Sequence, residues 1–297
     1  MAFPITASRA RRLWSAPRVV LLGVLALLCL VPMLWLVLAP SKTESQIDNG
    51  SPLSFGSLGG YHTAWRHLIS YDGGVLYHWI ANTAEYSLGA MALGVTTALL
   101  AGYALAATRI AGRRIILVAT LMAMIVPTAA LVLPLFMEVN AVRLTNTAVS
   151  VILPASLFPF GVYLSFIHFS TRLPREVLEA ARIDGCSEAA LFTRIALPLA
   201  KPLIALLSYF AFVGNWNNYF LPFVMLSDES KYNLQVGLGA LISGTPALNP
   251  SVGGSQLPIH RPEVAVAGLV TTIPVVLVFL FSQRFLVKGM LDGALKS

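Results

Sequence analysis

Six long segments of the chain contain no charged side chain, and they restrict the possible folds more than any other feature. Each segment has at least 20 consecutive residues and is rich in Leu, Val, Ile, Ala and Phe. They lie between Arg18 and Lys42, Glu85 and Arg109, Arg114 and Glu138, Arg143 and Arg172, Lys201 and Asp228, and Glu263 and Arg284. About 20 apolar residues suffice for one helical crossing of a bilayer, where a charged side chain is costly. The segments therefore predict an all-α membrane protein with six transmembrane helices.

These segments divide the chain into one membrane domain, 19–284, with a tail at each end, 1–18 and 285–297. The predicted spans are about 19–40, 82–107, 115–137, 147–169, 203–226 and 263–284. One long inner loop, 170–202, joins the fourth and fifth spans, and two long outer loops cover 41–81 and 227–262. A cleaved signal peptide is the alternative for the first span, but its apolar stretch is longer than the usual 7–15 residues of such a signal. An uncleaved anchor is therefore favoured.

A seventh uncharged stretch, between Lys231 and Arg261, is not predicted to be a span. It contains glycines and prolines throughout, together with several polar side chains. Irregular backbone leaves polar groups unsatisfied in hydrocarbon, which is costly. We expect a long outer loop with one short helix near 234–242.

The distribution of basic residues predicts the orientation. The net charge is +7, from 20 Lys+Arg against 13 Asp+Glu. With a cytoplasmic N-terminus and six spans, five basic residues fall outside: Lys42, Arg66, Arg143, Lys231 and Arg261. All the other Lys and Arg residues fall inside. Because cytoplasmic loops carry the excess of Lys and Arg, both termini are predicted to be cytoplasmic.

Composition excludes several classes of protein. Hydrophobic residues make up 57% of the chain and charged residues only 11%, with a mean hydropathy of +0.75. A soluble domain is about one quarter charged, so a cytosolic enzyme and a nucleic-acid-binding module are both disfavoured. The two cysteines, Cys29 and Cys186, are too far apart in sequence for a disulfide framework or a metal-binding pattern.

The second span carries small residues at every fourth position. They are Ala90, Gly94, Ala98, Gly102 and Ala106. Residues at this spacing share one face of a helix, and small side chains allow two helices to approach closely. We interpret the face as a close helix–helix contact, with a ligand-lining role as the alternative.

The fifth span contains an unusually polar motif: Asn215, Trp216, Asn217, Asn218 and Tyr219. Polar groups within a membrane usually face the protein interior or a watery cavity, and amide groups with an indole ring also suit a sugar. Hydrogen bonding between helices or a position at the interface is one interpretation, and lining of a translocation pathway is the other. Asn82, Thr83 and Glu85 are interpreted as marking the outer end of the second span.

The inner loop is the most polar cytoplasmic segment. Pro174 suits the first turn of a helix, Gly185 can end that helix in a left-handed conformation, and Ser187 can cap a second one. The sequence therefore predicts two short helices hinged at Gly185. One apolar patch is expected at Val177, Leu178 and Ala181, and another at Leu191, Phe192 and Ile195. A docking surface for a cytoplasmic partner and a hairpin on the membrane surface both fit these patches.

At this loop the chain resembles a known family. The residues Glu179-Ala180-Ala181, then Asp184-Gly185 and Ile195-x-Leu197-Pro198, are similar to the EAA motif of binding-protein-dependent ABC importer permeases. Further resemblance covers most of 18–297. Residues 127–136 resemble the family's third span and 144–147 the start of its fourth. The fifth-span motif resembles carbohydrate-uptake permeases, and 288–294 resemble the tail of a maltose-type G subunit. Cys186 departs from the usual Ala, and the outer loop 228–262 is long and rich in Gly and Pro.

The resemblance implies the type I ABC importer permease fold and a sugar-uptake subunit that is not itself an enzyme. It implies that the loop couples to an ATPase through Glu179, Ala180, Ala181, Asp184, Gly185, Ile195, Leu197 and Pro198. It also implies contact of the tail with the ATPase at Lys288, Gly289 and Gly293, and contact of a binding protein with Thr245, Asn249, Gly253 and Gly254.

The implied partners are a sister permease, two ATPase subunits, an extracytoplasmic solute-binding protein, a sugar-type substrate and membrane lipid, with no nucleic acid. The chain lacks the G-x-x-x-x-G-K-[ST] phosphate loop, so no cofactor is expected in it; ATP and Mg would be bound by the ATPase subunits. The implied location is a bacterial or archaeal plasma membrane. A permease for a non-sugar solute and a secondary transporter remain alternatives.

Overall fold

The computed structural model describes residues 7–245, 248–249 and 258–294, and it describes no side chain before Pro17, at Arg175 or after Gln283. No strand occurs in these ranges. The first eight helices are α1 (Ala7–Leu38), α2 (Glu44–Asn49), α3 (Leu58–Ser70), α4 (Val75–Ala107), α5 (Arg113–Ile125), α6 (Thr128–Ala141), α7 (Ala148–Ala155) and α8 (Pro159–Arg172). The next are α9 (Arg175–Ile183), α10 (Glu188–Leu191), α11 (Leu197–Leu199), α12 (Lys201–Trp216), α13 (Phe220–Met225), α14 (Leu234–Gly244) and α15 (Arg261–Ala294).

Three helical segments are long and apolar enough to cross a membrane by themselves: Pro17–Ser41, Leu58–Ala107 and Arg261–Gln283. Three bent pairs raise the number of candidate spans to as many as six when each pair is counted once. The all-α class predicted for the chain is therefore observed throughout the described ranges.

The predicted third span, 115–137, is not one straight helix. Helices α5 and α6 meet at an angle of 106° around Val126 and Pro127. Both residues are extended, with ψ of 124°. Proline disfavours the helical conformation in the residue before it and has no N–H to donate. The length of the uncharged segment between Arg114 and Glu138 contains no information about this break. The predicted fourth span is likewise divided into α7 and α8, which are bent by 40°.

The helix that contains the predicted second span, 82–107, extends beyond it at its N-terminal end. Helix α4 starts at Val75, not near 82, and its buried first turns include Leu76 and Trp79. The predicted outer loop 41–81 also contains α2 and α3. The predicted boundary near 82 rested on the charge of Glu85. The helix already begins at Val75, where the side chains of Leu76 and Trp79 are buried.

The chain forms two compact units. The first comprises residues up to Tyr71 together with 241–270. Its polar contacts centre on Arg261, which pairs with Glu44 at 2.6 Å and with Asp48. Glu263 is only 4% exposed and contacts the His67 ring at 3.1 Å. These ion pairs join the segment after 258 to helices α2 and α3.

The second unit comprises 72–240 and the residues from Thr271 onwards. Helix α4 is its central element and packs against α7, α8 and α12. A Cβ atom at Gly102 would lie 2.3 Å from the Ser165 Cβ on α8, and one at Gly94 would lie 2.8 Å from the Ser156 carbonyl oxygen. The predicted close contact along the small-residue face of α4 is therefore confirmed.

Candidate functional site

The inner loop folds as two helices separated by a glycine, as its sequence predicts. Helix α9 follows the extended Pro174 and ends at Ile183. Gly185 has φ of +83°, and the Cys186 amide donates to the Ala181 carbonyl at 2.9 Å. This closure satisfies a carbonyl at the end of α9 and turns the chain away from the helix axis.

The second half of the loop is capped and then tightly bent. The Ser187 hydroxyl accepts the Ala190 amide at 3.3 Å and so begins α10. A π-helical turn, Phe192–Ala196, follows, and the segment Glu188–Leu199 is bent by 80° from α12. Pro198 and Pro202 lie on either side of this bend, where the sequence predicts an interruption of the helix.

One ion pair crosses the hinge. Arg182 Nε donates to Glu188 Oε1 at 2.8 Å, and an Arg182 Nη atom donates to the Ala107 carbonyl at 3.1 Å. The Tyr103 hydroxyl of α4 donates to the other Glu188 oxygen at 3.1 Å. The hydrogen bond from Arg182 holds the pKa of Glu188 below its usual range, and the same bond raises the pKa of Arg182. The pair therefore connects α9, α10 and the end of α4.

The apolar side chains of the loop do not form the two exposed patches that the sequence predicts. Leu178 and Leu191 are 3% and 0% exposed and belong to a core cluster shared with α4, α8 and α12. Ala181, Phe192 and Ile195 pack against the same cluster. Only Val177 remains exposed from the expected patches. These apolar side chains therefore attach the loop to α4, α8 and α12, because burial in that cluster removes their surface from water.

The surface of the loop that remains exposed is the side of α9 opposite Leu178, together with the C-terminal end of that helix. Glu179, Ala180, Asp184 and Gly185 are exposed, and Ile183 is the most exposed at 86%. Later in the loop, Leu197 is half-buried against the core cluster and Pro198 is exposed. The coupling residues implied by the resemblance thus separate into an exposed group and a group that anchors the loop.

The polar motif of the fifth span lies at a helix break, between the end of α12 and the start of α13. Trp216 is buried, and its Nε1 donates to the Thr271 carbonyl at 2.9 Å. Asn217 donates to the Val213 carbonyl at 2.9 Å, and the Asn218 carbonyl accepts from Asn233 at 2.7 Å. The Trp216 bond and the bond to the Asn218 backbone carbonyl join different segments, as the interhelical interpretation expects, whereas the Asn217 bond stays within its own helix.

The other two residues of the motif differ from them. Tyr219 stacks on Phe223 at 5.3 Å and is 40% exposed. The Asn215 side chain makes no hydrogen bond to any described residue, and it lines two small crevices. The larger crevice has a volume of about 100 Å³ and is otherwise lined by small and aromatic residues. Of the three asparagine side chains of the motif, only that of Asn215 makes no hydrogen bond to a described residue.

Two other polar residues, Ser87 and Thr83, line the smaller of these crevices. Ser87 is 1% exposed, and its hydroxyl has no partner among the described residues. Thr83 accepts the Leu234 amide at 2.7 Å, so it connects α4 to α14 and does not simply mark the outer end of a span. The helical period of α4 places Ser87 on its buried face, but only tertiary packing brings it to the crevice that Asn215 also lines.

The candidate contacts with a binding protein are described only in part. Thr245 is 1% exposed, and its hydroxyl donates to the Leu241 carbonyl at 2.7 Å, so this side chain is used within the chain. The Asn249 amide nitrogen donates to the Ser243 carbonyl at 3.1 Å. Gly253 and Gly254 lie outside the described residues.

The predicted contacts of the tail fall within α15, which continues to Ala294 where the sequence predicts a tail from 285. Lys288, Gly289 and Gly293 belong to this helix, beyond the last described side chain. Among the described residues, no group of three His, Cys, Asp or Glu side chains is arranged to hold a metal ion.

Comparison with known proteins agrees with this geometry. Residues 94–292 match the family described as binding-protein-dependent transport system inner membrane component. The chain is 31% identical over 274 residues to the arabinooligosaccharides transport system permease protein AraQ of Halalkalibacterium halodurans, covering 92% of this chain and 93% of that protein. It is 30% identical over 286 residues to the lactose transport system permease protein LacG of Rhizobium radiobacter, covering 95% and 97%.

The fold also matches a solved structure. It is the crystal structure of a bacterial ABC transporter involved in the import of the acidic polysaccharide alginate, one chain of which matches with a TM-score of 0.78. The match covers 96% of this chain and 99% of the other, at 23% identity. At this identity the likeness concerns the fold alone, and it confirms the permease fold implied by the inner-loop motif.

Proposed function

Because the chain belongs to the family of binding-protein-dependent transport system inner membrane components, we propose that it is the permease subunit of an ATP-driven importer for a sugar or sugar-like solute. The observation that carries this proposal is the exposed end of α9, where Ala180, Ile183, Asp184 and Gly185 leave room for another subunit. The relatives for arabinooligosaccharides and lactose support the sugar class.

The mechanism follows from the way the loop is attached. A partner that pushes on the exposed end of α9 moves a segment whose Leu178 and Leu191 are fixed in the same core cluster as α4 and α12. Cores are close-packed, so a displacement at this end is transmitted to the spans. ATP and Mg would be bound by two ATPase subunits, and this chain would supply the mechanical connection.

The solute would pass beside Asn215. It is the one asparagine side chain of the fifth-span motif that no described residue engages, and it lies next to the α4–α12 packing that a moving loop would alter. An amide can both donate to and accept from a hydroxyl group, which suits a carbohydrate. A sister permease would complete the pathway in the membrane of a bacterium or archaeon.

The assembly can be tested by purification of the affinity-tagged chain from its own membrane in mild detergent. We expect one ATPase chain type and a second permease to co-purify, and we expect proteoliposomes of that complex to accumulate labelled oligosaccharide only with internal ATP and the binding protein. Uptake driven by an ion gradient without ATP would indicate a secondary transporter and contradict the proposal. Uptake of a non-sugar solute would retain the importer and reject the sugar class.

The contact with a binding protein needs a separate test. Because the Thr245 side chain is buried, a deletion should spare it and remove only residues 250–255. We expect basal ATPase activity of the complex to persist while its stimulation by the loaded binding protein is lost. Full stimulation of the deletion variant would contradict a role of this segment.

A further inference from the structure

We propose that a cavity at the inner end of α4 and α5 binds the phosphate group of an anionic phospholipid. The cavity has a volume of about 470 Å³ and lies between the ends of α4 and α8, the start of α5, and the loop helix α9. Its polar lining comprises Thr108, Arg109, Arg113, Ser170, Glu179 and Arg182, together with Glu188. The proposal does not depend on the identity of the transported solute.

The charges around the cavity are not balanced. Glu188 is neutralised by its 2.8 Å pair with Arg182 and also accepts the Tyr103 hydroxyl. Neither Arg109 nor Arg113 pairs with a carboxylate among the described residues, and Glu179 is the one remaining acidic group in the lining. The lining therefore carries a net positive charge, and two guanidinium groups are left for an anion.

The guanidinium groups are held in different ways. The Arg113 guanidinium lies over the Phe166 ring of α8, 4.8 Å from its centre, which holds it against that helix. Arg109 follows the end of α4 at Ala107 and lines the same cavity. Guanidinium groups present planar sets of donors that match phosphate oxygens, and the Thr108 and Ser170 hydroxyls add neutral donors. The lining thus suits a phosphate oxygen cluster better than a carbohydrate or an apolar group.

A lipid is favoured over a soluble phosphate because the helix that begins at the cavity is apolar and exposed on both of its sides. On α5, the exposed fractions are 76% at Ile115, 43% at Ile116, 59% at Met122 and 42% at Met124. At 3.6 residues per turn, Ile116 and Met124 lie on the same side of α5 as Arg113, and Ile115 and Met122 lie on the opposite side. Acyl chains along the Arg113 side of α5 would leave the headgroup at the arginine end. Basic pockets between membrane helices at the cytoplasmic side are a known physical setting for anionic headgroups.

The test uses the complete detergent-solubilised complex and a fluorescent phosphatidylglycerol as the probe. We expect unlabelled phosphatidylglycerol to displace the probe, while phosphatidylcholine and millimolar inorganic phosphate do not. Each substitution, Arg109→Gln or Arg113→Gln, should weaken binding about fivefold. The matched control is Arg114→Gln, which removes the same charge one residue further on from an exposed side chain outside the lining, and it should change binding less than either.

A second variant separates binding from misfolding. Glu179→Gln removes the opposing carboxylate of the cavity and should tighten phosphatidylglycerol binding, which a damaged fold would not do. Equal weakening by Arg109→Gln and Arg114→Gln, or no tightening by Glu179→Gln, would overturn the site. Displacement by inorganic phosphate as effective as that by the lipid would overturn the lipid assignment, as would displacement by phosphatidylcholine.

Discussion

Arg182 Nε donates to Glu188 Oε1 at 2.8 Å and thereby joins the two helices of the inner loop across Gly185. The hinge is therefore braced from the side while its backbone remains exposed. Such an arrangement lets the α9 end move as one body with α10, and the buried Leu191 passes that motion to the core.

The hinge requires the left-handed conformation of Gly185. A Cβ atom there would meet no atom of a described residue within 4 Å, so the expected effect of substitution comes from the backbone. Gly185→Val should cost roughly 1–2 kcal/mol or more, because L-residues avoid positive φ. We expect sugar uptake by the reconstituted complex to fall at least severalfold while membrane insertion is retained. Gly185→Asn is the matched control, since Asn tolerates this conformation, and equal uptake by both variants would count against the hinge.

The stability that the Arg182–Glu188 pair contributes to the folded chain should depend on pH. The folded-state pKa of Glu188 is depressed by the bond from Arg182, so its stabilisation is present above the unfolded-state pKa and is lost as the pH falls through the folded-state value. Glu188→Gln should lower the melting temperature slightly at pH 7, since a partly exposed pair contributes about 0–1 kcal/mol. That difference should shrink as the pH falls below the ordinary glutamate pKa of about 4.3 and vanish once the pH is below the depressed folded-state value. A difference that is constant with pH would show that the carboxylate charge is not involved.

The close approach of α4 and α8 should not tolerate a larger residue. A Cβ at Gly102 would lie 2.3 Å from the Ser165 Cβ and 2.7 Å from the Phe166 amide nitrogen. Overpacking of this kind typically costs 1–3 kcal/mol, so Gly102→Leu should reduce the yield of the assembled complex and its melting temperature. Gly23→Leu, at an exposed position of α1 where an added Cβ meets no atom of a described residue within 4 Å, should have little effect. Comparable losses in the two variants would contradict the packing argument.

The Asn215 amide should contribute to solute passage. Asn215→Ala removes a group that no described residue engages, so stability should be unchanged. Loss of one hydrogen bond of about 1 kcal/mol should raise the KM for uptake roughly fivefold. Asn217→Ala removes a neighbouring amide that is bonded to the Val213 carbonyl and should leave KM unchanged. Identical KM values for both variants and the wild type would place the pathway elsewhere.

Sequence reasoning was most successful where the cause is local. Uncharged length predicts the membrane helices, and the Gly185 hinge follows from a glycine between a helix end and a capping Ser187. The sequence did not indicate the break between α5 and α6 at Pro127, nor that the helix containing the second span already begins at Val75. Hydropathy averages over a window, whereas a single proline or a few buried side chains decide where a helix bends or begins.

The sequence by itself determined the class of the protein, the small-residue face of α4 and the motif in the inner loop, because these depend on residue type and spacing along one helix. Only the tertiary structure decided which residues of these motifs are exposed and which are buried or hydrogen-bonded within the chain. Leu178 is buried while Ile183 is exposed, and Trp216 is bonded to the Thr271 carbonyl while Asn215 is not. Each of these outcomes depends on residues distant in sequence, and burial and hydrogen bonding are settled when those residues pack together.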